Sequence, residues 1–164
     1  MKVADYAVAR GDAVLSTIGL GSCVAIAIYD RQARVGGLAH ILLPAEGLSR
    51  DSGNRAKFPT TAVPLLLEEM RKLGARGPFV AKIAGGSSMF GALLPGSGIN
   101  MGERNVVSSR QALAAAGVAL AAEDIGGEHG RSVYFRRGHR RRARPQRLLP
   151  SRRRARDGPL AEDR

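Results

Sequence analysis

The sequence has no tryptophan and a single cysteine, and its four Phe and three Tyr make up only 4% of 164 residues. One cysteine excludes an internal disulfide and fits a reducing compartment. Nowhere do about 20 apolar residues run together, so no membrane-spanning helix is expected. The opening residues, Met1-Lys2-Val3-Ala4-Asp5-Tyr6, lack the uninterrupted apolar core of a secretory leader. The expected location is therefore cytoplasmic. Acidic residues are scarce against basic ones, 14 to 26. The imbalance is local: residues 136–164 hold 12 of the arginines and 3 of the acids, leaving 14 bases and 11 acids in residues 1–135. What remains is close to balanced, and the chain's 44% hydrophobic content suffices for one globular core.

The most informative stretch runs from Thr17 to Pro44. Val24-Ala25-Ile26-Ala27-Ile28-Tyr29 reads as a buried strand, apolar and partly β-branched. Asp30 to Arg34 is a polar turn, and Val35 to Leu43 reads as the return strand, ended by Pro44. Pairing around a turn near Arg31 and Gln32 gives partner numbers summing to roughly 63–65. The two odd sums put Cys23 and His40 on one face, either opposite each other or as diagonal neighbours; the even sum separates them. A thiol beside an imidazole is a way to make a nucleophile, because the thiolate is the reactive form. Gly19-Leu20-Gly21 allows a tight turn before Cys23 and can aim backbone N–H groups at an oxyanion. The competing reading is a buried structural cysteine near a structural histidine. Their meeting at hairpin distance after a Gly-rich turn weighs against it.

The same residues carry a resemblance. Thr17-Ile18-Gly19-Leu20-Gly21-Ser22-Cys23, Asp30 and Gly36-Gly37-Leu38-Ala39-His40-Ile41-Leu42-Leu43-Pro44 resemble the signature of the CheD family, the bacterial chemoreceptor glutamine deamidases. Ala81 to Phe90, Ile99 to Asn105, Glu123 to Gly127 and Gly130-Arg131 agree with it in order. The match covers about residues 5 to 135. The resemblance implies a Cys-His-Thr triad, falling on Cys23, His40 and Thr17, and deamidation of glutamines in methyl-accepting chemotaxis receptors. It also implies glutamyl methyl ester hydrolysis, a CheC-type phosphatase as a partner, and an α/β/α layering similar to the cytotoxic necrotising factor catalytic domain. No residue is assigned to a metal or a cofactor.

The remaining elements fit one α+β domain with a mixed, mostly antiparallel sheet layered with helices. Lys2 to Ala9 and Asp12 to Thr17 read as short strands, and 45–58 as a surface loop that either walls the site or merely connects. A helix capped by Thr60 or Thr61 runs to Leu73, with Val63, Leu66, Leu67, Met70 and Leu73 on its core stripe. Pro64 is expected to hold its start near Thr61–Val63. Pro78 to Ala84 is a strand, and Gly85 to Ser88 a tight turn without the spacing of a phosphate-binding loop. Residues 91–98 read as loop. Asn100 and Glu103 form a capping box for a helix over Glu103 to Ala116, where Arg104 in the first turn opposes the helix dipole. Val118 to Glu123 and Ser132 to Phe135 are strands, and His129 lies in an exposed turn.

Residues 136–164 form an Arg- and Pro-rich tail with little periodicity, expected to be disordered. It departs from the family pattern, as a frameshift or a lineage-specific addition would. A tail of this kind can bind nucleic acid, but no aromatic interleaving or nucleic-acid fold accompanies it. The other rivals to an enzyme of this family are a non-catalytic binding module with a vestigial site and, more weakly, a cysteine protease.

Overall fold

The computed structural model describes residues 1–51, 53–88 and 100–136. Met89, Phe90, the 91–98 loop, Ile99 and the tail beyond Arg136 lie outside the described residues.

Seven strands and two helices follow one another as β1 (Tyr6–Arg10), β2 (Val14–Leu20), β3 (Val24–Asp30), β4 (Val35–Ile41), α1 (Pro59–Lys72), β5 (Phe79–Gly85), α2 (Met101–Ala115), β6 (Ala119–Ile125) and β7 (Arg131–Arg136). Five strands form one sheet in the order β1-β4-β3-β5-β6, and β2 pairs with β7 as a second, two-stranded sheet. All pairings are antiparallel except β5 with β6, which α2 connects as a parallel crossover. The chain is thus an α+β domain with a mixed sheet.

Both faces of β3 and β4 are covered, which is why nearly every residue in them is buried. On one face Val24, Ile26, Ile28, Ala39 and Ile41 pack against the apolar stripes of both helices, Val63, Leu66 and Met70 from α1 and Val106 and Leu113 from α2. On the other face Cys23, Ala25, Ala27 and Leu38 pack with Leu15 and Leu20 of β2, backed by Val133 and Phe135 of β7. The resemblance implied a helical layer on each side. Among the described residues both helices share one face, and the β2–β7 pair covers the second. The inward–outward alternation of β7, with Ser132, Tyr134 and Arg136 exposed, suits that role.

Helix α1 begins earlier than Pro64 suggested. Pro59 occupies its first turn, where a missing N–H costs nothing, and the buried Phe58 anchors the entry. Pro64 therefore sits inside the helix rather than at its start. The capping box of α2 is partly realised: the Asn100 side chain accepts from the Glu103 N–H at 3.1 Å. The 45–58 segment contains a short 3-10 turn at Glu46–Leu48 and is tied back by Lys57 O, which accepts from the Leu42 and Leu43 N–H groups.

The β3–β4 turn is fixed by Asp30, which is 1% exposed. One carboxylate oxygen accepts from the Gln32 and Ala33 N–H groups, both at 2.9 Å, and the other from Arg76 and Gly77, both at 2.8 Å. Burial alone would raise its pKa, but these four donors hold it below the ordinary 3.8. Asp30→Asn keeps the size but loses half of the accepting capacity, and is expected to cost about 1.5–3 kcal/mol in urea unfolding at neutral pH. Because the folded-state pKa is depressed, that wild-type advantage is full above pH 3.8 and disappears as pH falls below it.

Candidate active site

The β3–β4 ladder pairs Val24 with Ile41 and Ala25 with His40. Partner numbers sum to 65, one of the two registers that join the thiol and the imidazole. Cys23 and His40 are diagonal neighbours on the face covered by β2, and neither is open to solvent: Cys23 is 9% exposed and His40 0%. Thr17 of β2, 1% exposed, lies over the same face. Its Oγ1 is 2.7 Å from His40 Nδ1. The structure therefore brings Thr17, Cys23 and His40 into one layer.

The Thr17 hydroxyl stands between the Met1 carbonyl, 3.3 Å from Oγ1, and His40 Nδ1. In the tautomer with the proton on Nδ1, Thr17 Oγ1 accepts from His40 Nδ1–H and Nε2 is the basic nitrogen. Nε2 is buried and has no hydrogen-bond partner among the described residues. The imidazole is further held by its backbone: Ala4 N–H donates to His40 O at 3.0 Å and His40 N–H to Asp5 O at 2.9 Å.

Burial and nearby charge act on both groups. Burial pushes the Cys23 thiol above its ordinary 9.0, against a lowering by its own backbone N–H. Burial, then the positive Met1 amino group, pushes His40 below 6.5, with Asp5 opposing. Both shifts favour the neutral thiol and the neutral imidazole over an ion pair. A direct test is alkylation by iodoacetamide. Its rate is expected to climb continuously through pH 9.0, with no plateau near neutrality. A plateau between about pH 6 and 8 would show a stored thiolate.

The Gly85–Ser88 turn, unassigned from local sequence, is part of this neighbourhood. Gly86 N–H donates to Cys23 O and Ser87 N–H to Gly21 O, both at 2.8 Å. The Ser87 hydroxyl donates to His129 O at 2.7 Å and accepts from Arg131 at 2.8 Å. Arg131 also bonds Gly126 O at 2.6 Å and pairs with Asp124 at 3.0 Å, so the β6–β7 turn braces the segment next to Cys23. His129 itself is exposed and contributes only its carbonyl. Arg104 is exposed and lines a shallow groove of about 490 Å³ with Pro44, Ala45, Val107 and Ser108, outside the Cys23 face. Asn105 is the residue that sequence reasoning passed over. It lies fully buried, bonded to the chain on either side of the Cys23–His40 pair. It appeared only as the end of the matching stretch Ile99 to Asn105, with no role attached to its side chain.

No helix among the described residues is long and apolar enough to cross a membrane. The family model described as CheD chemotactic sensory transduction matches residues 42–141. Relatives named "Probable chemoreceptor glutamine deamidase CheD" include one from Caldanaerobacter subterraneus subsp. tengcongensis, 42% identical over 134 residues, covering 81% of this chain and 83% of that protein. One from Pyrococcus abyssi is 45% identical over 134 residues, with coverage of 81% and 82%. "Probable chemoreceptor glutamine deamidase CheD 2" of Geobacter metallireducens is 47% identical over 135 residues, with coverage of 81% and 83%. With the family model matching residues 42–141 and relatives 42–47% identical over 81% of the chain, the chain belongs to the CheD family.

Proposed function

We propose that the chain hydrolyses the side-chain carboxamide of chemoreceptor glutamines to glutamate, using Cys23 as nucleophile, His40 as general base and acid, and Thr17 to orient the ring. The observation that supports this reading is the 2.7 Å contact between Thr17 and His40 Nδ1 in a buried layer, with Nε2 free of a partner among the described residues. The names of the relatives supply the substrate class.

His40 Nε2 takes the Cys23 proton as Sγ bonds to the carboxamide carbon. The carbonyl oxygen becomes an oxyanion held by backbone N–H groups near Cys23. The C–N bond then breaks, and ammonia leaves with the proton from His40. Water, giving its proton to Nε2, attacks the thioester and releases glutamate and the thiol. A glutamyl methyl ester passes through the same thioester with methanol as the leaving group, so ester hydrolysis belongs to the proposal. Action on receptor cytoplasmic domains places the enzyme in the cytoplasm, where a CheC-type phosphatase is a further proposed partner.

The test is incubation with receptor cytoplasmic fragments, reading ammonia and the amide-to-acid mass gain by peptide mapping. Stoichiometric ammonia with glutamate at defined glutamines supports the reading. Folded protein that binds the fragments and changes none of them overturns it in favour of a binding module.

Thr17→Val keeps the shape and removes the hydroxyl. It is expected to lower kcat by roughly 10- to 100-fold with little change in KM, because the ring loses its tautomer selection. Thr17→Ser is expected to restore most of the rate.

A further inference from the structure

Asn105 is the fifth residue of α2 and is 0% exposed. Its Nδ2 donates to Ser22 O at 2.9 Å and to Leu42 O at 3.1 Å. Two carbonyl acceptors fix the amide's orientation, since only the nitrogen can donate. Ser22 immediately precedes Cys23, and Leu42 follows His40 by two residues. Both lie just past the ends of the β3–β4 ladder, where strand pairing no longer holds the backbone. On its other side Cys23 is held through its own carbonyl, which accepts from Gly86 N–H. Gly86 packs against Gly102 of α2 so closely that a Cβ on Gly102 would stand 2.5 Å from the Gly86 oxygen. One helix turn thus grips the peptide units before and after the nucleophile.

The grip on Ser22 has a geometric consequence. In a trans peptide the C=O and the following N–H point to opposite edges. With Ser22 O turned toward α2, the Cys23 N–H is turned away from it. The Cys23 side chain packs in the core on the sheet face opposite the helices.

We propose that Asn105 is a positioning residue for the oxyanion donor: by holding the Ser22 carbonyl it presents the Cys23 N–H beside Sγ. The inference rests on the acyl-transfer reading above. When Sγ adds to a carbonyl carbon, the π pair moves onto oxygen, and that oxygen takes the hydrogen bond from the Cys23 N–H. Without the Asn105 amide the Ser22–Cys23 peptide turns, and the donor is lost while the thiol stays.

Asn105→Ala and Asn105→Ser separate this role from support of the thiol. Deamidation needs the oxyanion donor; displacement on iodoacetamide does not. In Asn105→Ala, kcat is expected to fall about 10²- to 10³-fold with KM nearly unchanged. Its iodoacetamide rate and pH profile should stay within about threefold of wild type. Asn105→Ser, with one donor, should recover part of kcat. Unchanged kcat, or alkylation slowed in proportion to kcat, overturns the proposal. A wild-type measurement decides if neither variant folds. A peptide carrying glutamate γ-semialdehyde forms a hemithioacetal on Cys23, and the Cys23 amide proton should move downfield while the Asn105 Nδ2 protons stay protected from exchange. An unmoved Cys23 amide proton, or fast-exchanging Asn105 protons, overturns it. Because the adduct needs no amide hydrolysis, wild-type protein that fails to release ammonia counts against the deamidase reading and leaves this test intact.

Discussion

Cys23→Ala is expected to reduce ammonia release from receptor fragments by at least about a thousandfold while leaving the protein folded. The fold should survive because the change removes one sulfur from a site that is already small and packed among alanines and leucines. A cavity of that size costs about 1 kcal/mol, well within the margin of a domain with two cores. The activity should not survive, because no other thiol exists in the chain. Cys23→Ser tests the same point from the chemical side. A hydroxyl is far harder to deprotonate than a thiol, and the buried neutral imidazole is a weak base. The serine variant should therefore fall near the alanine variant. Ammonia assays beside thermal melts of all three proteins check both halves of the expectation. Wild-type rates in the alanine variant would remove Cys23 from the chemistry.

Gly85→Ala is expected to be the most damaging small substitution outside the triad. Gly85 ends β5 with φ +116, where side chains are strained. It is wedged between Val24 of β3 and Ile125 of β6. An added Cβ would collide with the Cys23 carbonyl oxygen, a backbone atom that cannot rotate aside. Strain and overpacking together are expected to cost about 3–5 kcal/mol in unfolding free energy. Any molecule that does fold must displace the Cys23 backbone, so activity should fall further than the folded fraction does. Gly11→Ala supplies the control: its φ is +78 but nothing lies within 4 Å of the new Cβ. That variant should lose about 1 kcal/mol and keep its rate per folded molecule.

The hairpin was legible because its information is local. Apolar runs on either side of Asp30–Arg34 fix the turn, and the turn fixes the register that brings His40 beside Ala25. The capping residue of α2 could be read from Asn100 and Glu103 for the same reason. What lay hidden was carried by distant partners. Nothing in Val14–Leu20 says that it pairs with Arg131–Arg136 rather than joining the main sheet. Asn105 looks like an ordinary polar residue until the chain folds back to place Ser22 and Leu42 within its reach. Helix α1 began a turn early because the buried Phe58 anchors the entry ahead of Pro59. The Thr17–His40 contact depends on β2 crossing the sheet, and no spacing between those residues encodes it.

The pairing of β2 with β7 also sets an order in time. Val14 meets Arg136 and Leu20 meets Arg131, partners separated by more than a hundred residues. At ordinary translation rates the ribosome needs roughly 6–24 s to deliver the second strand after the first. During that interval the β3–β4 hairpin, whose contacts are local, can already have closed around Cys23 and His40. The strand carrying Thr17 has no ladder partner until the β7 segment has emerged. An unfinished chain holds Cys23 and His40 before Thr17 is fixed against the ring, so the three side chains meet only as synthesis of the domain closes.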